Sequence, residues 1–406
     1  MNLQSGNLYW PTTISNPPTY PPLQEDIQCD VAIIGGGSSG AQCAYYLMAK
    51  GIDVVLIEKE KIGHGSTSAN TALLQYLGDK MFYQLINSFG EDIAVNHLKL
   101  SSKAIDEIEK ISGLLDLDPN FFRRDSLYYA SYQEDLVKLK KDYSFLKKHH
   151  FEVDFLTSRD IADLYPFSKS AAIYCRNDGE INPYKFTVGL IKKLQNCGLR
   201  VFEETHIQGK KVEKDYTLLQ TNHHHTIRAN SVIVAAGYQC QEFKHDKNVS
   251  FVSSYAVITN PVDDLSSWYQ KTLIWETARP YIYMRTTSDN RIIIGGLDEN
   301  TTNPQKRESM LINKKQKLIQ EFNKLFPSIE VEPQYYLSAL YAGTHDGMPI
   351  IGVYEDFPNW YFLMGYGDNG MIYNMLLSQI ITDVITKGSS PYLNIYLQTR
   401  PLLENK

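Results

Sequence analysis

The sequence predicts an α/β fold. A Rossmann-type dinucleotide-binding domain, interrupted in sequence, stands beside a second α+β domain built on a mixed or antiparallel sheet. Three observations predict it. Val31 to Ile34 is a short apolar run suited to a buried parallel strand, and it ends at Gly35-x-Gly37-x-x-Gly40. Asp53 to Ile57 is a second such run, closed by Glu58. From 251 to 342 the chain is rich in strand patterns and tyrosine, without regular strand–helix alternation.

Between the first two runs, Ala41, Ala44, Leu47 and Met48 repeat at helical spacing, and Gly51 sits where a helix end accepts positive φ. Together they form a βαβ unit with a chemical reason at each position. Gly35 permits the tight turn, Gly37 lets backbone approach a pyrophosphate, and Gly40 lets helix and strand pack closely. The helix N-terminus offers free N–H groups and partial positive charge. Glu58 is placed to accept hydrogen bonds from a ribose hydroxyl pair and to repel a 2′-phosphate.

The 406 residues can hold two or three domain-sized units, and 43% hydrophobic content is globular. A net charge of −6 gives no reason to expect nucleic acid or an anionic membrane as partner. The five cysteines are scattered without C-x-x-C or zinc spacing, which suits unpaired thiols in a reducing cytoplasm. Neither a signal peptide nor a membrane-spanning run is read, so the expectation is a soluble cytoplasmic protein without a metal site.

Residues 1–27 form a proline-rich lead-in, expected to be extended and polyproline-like. Gly63 to Leu74 is a loop of small residues and hydroxyls that could approach a cofactor. Ala94, Leu98, Ser101, Ile105, Ile108 and Ile111 make one buried helical stripe; Leu136, Leu139, Tyr143 and Leu146 make another. A strand over 126–130 is expected between them, and a helix over 183–197 ends at Gly198. Strands follow at 200–205, 216–220 and 231–235, with His223, His224 and His225 in a solvated hairpin between two of them. A helix near 308–326 is stopped by Pro327. The glycines of 365–370 open a last helix that ends at Gly388, a second candidate anion site. No internal repeat is present. The dinucleotide-binding domain thus takes 28–80, 183–250 and 343–390, the second domain takes 81–182 and 251–342, and 391–406 form a tail.

This pattern resembles the D-amino-acid oxidase-like (DAO) family of FAD-dependent oxidoreductases, which includes glycine, sarcosine and gamma-glutamylputrescine oxidases. The resemblance covers nearly the whole chain. It rests on Tyr9-Trp10, Asp30 through Gly40, Glu58, Ile62-Gly-x-Gly-Ser-Thr-Ser68 and Ala235-Ala-Gly237. It continues in Arg291-Ile-Ile-Ile-Gly-Gly296, Thr344-His-Asp-Gly-Met-Pro-Ile-Ile-Gly352 and Gly367-Asp-Asn-Gly370. It implies an FAD cofactor whose pyrophosphate lies over Gly35, Gly37, Ser38 and Ser39, beside Gly40, with its ADP ribose on Glu58 and next to Lys59. Ser66, Thr67, Ser68, Thr71, Leu73 and Leu74 would line the flavin. Ile207, Ala236, Gly237 and Gly367 would border the cofactor, and Asn369, Gly370, Met371 and Ile372 would face its pyrimidine oxygen.

Two departures from that family qualify the expectation. Flavin-linking cysteine and histidine positions are not filled, since no cysteine follows Cys240 and Ala69 stands where a linking histidine would be. FAD is therefore expected to be non-covalent. The family's carboxylate-binding lysine after the last glycine motif is replaced by Ile372. The implied reaction is removal of a hydride from the carbon of a C–N bond in a small amine or amino acid, with O2 or another acceptor taking the electrons. Oxidation of a hydroxy acid or polyol, or service as a flavin-holding subunit of a complex, are the alternatives on this scaffold.

Flavin enzymes need the protein chiefly to position substrate and manage its proton. On a strand Tyr281, Tyr283 and Arg285 share one face, so two phenols and a guanidinium could hold an anionic or amide-bearing substrate. The same face could equally be packed, with Arg285 paired to an acid. Tyr255, Trp275 and Tyr341 are expected in the core more than in a pocket wall, and Asp346 is expected to hold the turn before Pro349.

Overall fold

In the computed structural model, which describes residues 1–403, the strand Ile27–Ile34 lies inside a mainly parallel eight-stranded sheet. Val54–Ile57 pairs with it on one side and Thr226–Val234 on the other, both parallel. Arg200–Phe202 and Trp360–Met364 extend the sheet in parallel, and Ile350–Gly352 closes one edge antiparallel. Both faces are covered, which is why these runs are continuously apolar: Val31, Ala32 and Ile33 are buried. Each such β-branched side chain contributes roughly 1.5–3 kcal/mol by leaving water. The helix Ser38–Met48 packs against Gly370–Lys387, with Cys43 Sγ 3.2 Å from Ser378 Oγ.

The second sheet has ten strands. Its order is Gln4–Asn7, Pro333–Thr344, Val249–Thr259, Ile292–Glu299, Ile282–Thr286, Leu273–Glu276, Phe122–Tyr129, Ala171–Glu180 and Leu73–Leu74, with Val153–Thr157 beside Ala171–Glu180. All pairs are antiparallel except Leu273–Glu276 with Phe122–Tyr129. Period-two alternation divides its residues between two cores. Ile292 and Ile294 pack in the cluster that contains Leu311, Leu318 and Phe322 of the helix Pro304–Leu325, while Ile293 joins the core shared with the first sheet.

The lead-in is not simply extended. Gln4–Asn7 pairs with the edge of the large sheet, from Gln4 opposite Ala339 to Asn7 opposite Tyr336. Leu73–Leu74, expected within the dinucleotide-binding domain, pairs with Glu180 and Gly179 of the other sheet, so the cofactor-side loop is stitched to both. Ala171–Glu180 shows no clean alternation in sequence, because two exposed residues interrupt its buried run. His223, His224 and His225 lie in the hairpin joining Thr217–Thr221 to Thr226–Val234, as expected. The tail carries a short helix, Leu393–Tyr396, and Arg400, which pairs at 2.7 Å with Asp346. Asp346 also accepts from Met348 N–H and so holds the turn before Pro349. The end of the tail, 404–406, lies outside the described residues. Among the described residues no helix is long and apolar enough to cross a membrane.

Candidate active site and cofactor cavity

The glycine turn opens onto a cavity of about 510 Å³. Gly35, Gly37, Ser38, Ser39, Glu58 and Lys59 line it, together with Ser66, Thr67, Ile207, Ala236, Gly237 and Gly370. Two positions show why glycine is needed. Gly35 has φ +119°, and a Cβ there would stand 2.4 Å from the Ala235 carbonyl oxygen; a Cβ on Gly40 would stand 2.0 Å from the Gly35 oxygen. Ser38 N–H donates to Thr67 Oγ1 at 3.0 Å, which ties the helix start to the hydroxyl-rich loop. The cradle of small residues, helix N-terminus and terminal acid fits a dinucleotide.

Glu58 accepts from Gly36 N–H at 2.7 Å and from Glu60 N–H at 2.8 Å. Burial pushes its carboxyl up, and these two donors pull it back. It therefore holds the glycine turn as well as facing the cavity. Glu58→Ala is expected to weaken FAD binding by about 1–3 kcal/mol, and Glu58→Gln by less. Equilibrium dialysis of FAD checks this; parent-like affinity in both variants would remove Glu58 from the cofactor site.

A narrower cavity of about 120 Å³ continues inward between the loop and the large sheet. Thr71, Leu73 and Gly367 line it, with Trp275, Tyr281 and Tyr283 from the sheet. Tyr283 lies across Gly295, where a Cβ would come within 2.3 Å of its ring, and Tyr281 stands 5.6 Å from Tyr283 between centroids. Asp298, Tyr341 and Asp368 line both this cavity and an outer one of about 500 Å³, which Asp79 and Arg279 also border. The three cavities adjoin one another, the first two sharing Ser66, Asn70, Tyr238 and Gly370 in their walls.

Arg285 is a correction. It is 2% exposed and lines none of these cavities. Its guanidinium donates to the carbonyls of Thr71 at 2.7 Å, Ile181 at 2.8 Å and Thr286 at 3.3 Å, and Glu180 lies 3.6 Å away. It shares the strand face with Tyr281 and Tyr283, but its end of the strand is covered by the Thr71 loop and Trp10. Gly40, Ser68, Leu74, Asn369, Met371 and Ile372 likewise do not line the cavities. Gly40 is closed against the Gly35 carbonyl, Ser68 Oγ bonds the carbonyls of His64 and Gly65, and Asn369 Nδ2 bonds that of Leu77. Leu74, Met371 and Ile372 are core. Trp275 and Tyr341, expected in the core, line the inner cavity; Tyr255 borders it too, although its hydroxyl donates to the Arg307 carbonyl beneath the helix.

Sequence reasoning missed Gln75, Asp79, Arg279, Asp298 and Asp368. Arg279 had a signal, since it shares the period of Tyr281 and Tyr283. Its guanidinium stacks 4.8 Å from the Tyr281 ring and donates to the carbonyls of Ala278 at 2.8 Å and Asp79 at 2.9 Å. Asp368 sits inside a glycine motif already recognised. Burial pushes the Asp298 carboxyl up to about 6, and burial followed by the charge of Asp79 pushes Asp368 well above the carboxylate range. Such shifts collect where a site has chemistry to do.

Residues 30–384 match the family described as DAO, FAD dependent oxidoreductase. The chain belongs to this family. It is therefore an FAD-dependent oxidoreductase. It is 25% identical over 399 residues to the Bacillus subtilis protein YhfW, named as a Rieske 2Fe-2S iron-sulfur protein, covering 97% of this chain and 75% of that one. It is 22% identical to human mitochondrial dimethylglycine dehydrogenase, covering 92% of this chain but 44% of that protein, so it spans under half of that relative's length. The crystal structure of L-proline dehydrogenase from P. horikoshii superposes with a TM-score of 0.77 at 20% identity, over 93% of this chain and 98% of that one.

Proposed function

We propose that the protein oxidises the C–N bond of a small amine or amino acid. A hydride leaves the carbon beside nitrogen, and water then hydrolyses the resulting imine to a carbonyl compound and a free amine or ammonia. The observation that carries this reading is the inner cavity's lining. It has aromatic rings and carboxylates but, among the described residues, no lysine or arginine. A hydroxy acid would bring no cation to these carboxylates, whereas the ammonium group of an amine or amino acid meets Asp298 and Asp368. The names of dimethylglycine dehydrogenase and L-proline dehydrogenase also describe oxidation beside nitrogen.

Bound FAD supplies the two-electron acceptor; O2 or another acceptor then takes the electrons. Gly35, Gly37, Ser38 and Ser39 would hold its pyrophosphate and Glu58 its ribose. Trp275, Tyr281 and Tyr283 wall the space in which the substrate is oriented. Hydride loss requires the nitrogen lone pair, so an ammonium must first shed its proton. Asp298 Oδ1 is buried, has no partner, and belongs to a carboxyl held near 6, so it can hold that proton. The five cysteines are free and none lines these three cavities, which supports non-covalent FAD.

Anaerobic bleaching of the flavin against amines, amino acids and hydroxy acids tests the proposal. Amines or amino acids are expected to bleach it and hydroxy acids are not; the reverse pattern would overturn the reading. Acid precipitation of the same preparation is expected to leave all the flavin in the supernatant.

A further inference from the structure

Residues 2–7 precede the dinucleotide-binding unit in sequence, yet they reach its cavity. Asn2, Leu3 and Gln4 help to line the space that the glycine turn opens onto. Leu3 Cδ1 would lie 3.9 Å from a Cβ on Gly65, which places the segment against the hydroxyl-rich loop. Gln4 Nε2 donates to the His64 carbonyl and to Ser68 Oγ, both at 3.1 Å. A carbonyl can only accept, so the amide nitrogen is fixed on that side and Oε1 on the other. Gln4 Oε1 is buried and has no partner. An unused acceptor on the wall of a dinucleotide cavity suits a hydroxyl or amine donor of the ligand. FAD offers ribose and ribityl hydroxyls and an adenine amine.

Polar contacts at a sheet edge hold the segment. Leu340 N–H donates to the Leu3 carbonyl at 2.7 Å, the Ser5 and Ser338 hydroxyls stand 3.0 Å apart, and Arg307 Nη2 donates to Asn2 Oδ1 at 2.7 Å. None of residues 2–7 is buried, so little apolar surface enters water when the segment lifts away. A four-residue edge strand with so few apolar contacts opens far more readily than strands inside the sheet. Gly6 is its sensitive point: φ is +99°, and a Cβ would stand 2.4 Å from the Tyr336 carbonyl oxygen. Beyond Gly6 the chain is rooted. Trp10 is 5% exposed, and its Nε1 donates at 2.6 Å to the carbonyl of Asn70, which lines this cavity and the narrower one.

We propose that residues 2–7 form a detachable wall of the FAD cavity, in which Gln4 Oε1 accepts from the bound cofactor and Gln4 Nε2 holds the loop around it. Lifting of this wall from Pro333–Thr344 sets the rate at which FAD leaves. The proposal rests on FAD occupying the cavity beside the glycine turn, which the Glu58 variants test separately. It holds for C–N and C–OH oxidation alike.

Timed ultrafiltration of the FAD-loaded protein measures release, and hydrogen exchange of peptides spanning 2–7 and 338–342 reports whether the wall is seated. Gln4→Ala is expected to release FAD about 10-fold faster than the parent, the loss of one to two hydrogen bonds, while its apoprotein melts with the parent apoprotein. Gly6→Val changes no residue that lines the cavity. It is expected to release FAD at least as fast as Gln4→Ala, with residues 2–7 exchanging freely. In the parent, FAD is expected to slow exchange over 2–7. Parent-like release from both variants would overturn the inference. So would a Gln4→Ala apoprotein that melts well below the parent apoprotein, because the glutamine would then serve the fold and not the cofactor.

Discussion

Gly40→Ala is expected to yield a protein that no longer retains FAD and melts well below the parent. The methyl group would stand 2.0 Å from the Gly35 carbonyl oxygen and 3.3 Å from Ile33 Cγ2. Both are fixed, one as backbone of the glycine turn and the other in a strand that is buried on both edges and faces. The helix Ser38–Met48 would have to move away from the strand, carrying with it the N–H groups that face the cavity. Its far side is already closed by Gly370–Lys387, so there is no room to relax. Overpacking of this kind costs about 3 kcal/mol, at the upper end of its usual range. Gly51→Ala is the control: Gly51 has φ +75° but nothing within 4 Å of the added carbon, so only backbone strain of roughly 1 kcal/mol is expected, with FAD retained. Flavin absorbance after gel filtration, with thermal melts in the presence and absence of FAD, separates the two. A yellow Gly40→Ala protein of parent stability would refute the packing argument.

Arg285→Met is expected to destabilise the fold by about 3–5 kcal/mol, the range for removing one partner of a buried charged network. Three carbonyls lose their donor at once, and the one on Thr71 belongs to the loop that lines the inner cavity. FAD content should therefore fall together with stability. Glu180, 1% exposed, would keep Arg124 at 2.9 Å but lose its second cation. Adding Glu180→Gln to Arg285→Met should deepen the loss, because Arg124 then loses its carboxylate partner. Denaturant melts of the single and double variants measure this. A stable, FAD-replete Arg285→Met protein with impaired flavin reduction would instead restore Arg285 as a substrate anchor.

The cofactor half of the site was legible because its determinants are local. Gly35, Gly37, Gly40 and Glu58 fall within one βαβ unit, where Gly40 is dictated by the Gly35 carbonyl a single turn away and Glu58 bonds Gly36 of the same unit. The helical and strand periods around them were strong for the same reason. The parallel sheet, the final helix after Gly370 and the turn held by Asp346 all followed from such short-range patterns.

Period two placed Tyr281, Tyr283 and Arg285 on one face, but it carries no information about depth along the strand. That was decided by the tertiary structure. Leu73–Leu74 pairs with Ala171–Glu180 and draws the Thr71 loop over the Arg285 end, which leaves the Tyr281 end, and Arg279 beyond it, facing the open chambers. The aspartates were invisible for a related reason. Asp79, Asp298 and Asp368 sit in unrelated local patterns, and the upward shifts of Asp298 and Asp368 arise only when the fold removes water from both and brings Asp79 near them. By itself the sequence determined that this chain carries the glycine turn, helix start and acid of a dinucleotide-binding unit, since backbone geometry and helix ends are local matters. Only the tertiary structure decided which charges face the substrate, because burial and Coulomb interaction depend on distances that the order of residues does not contain.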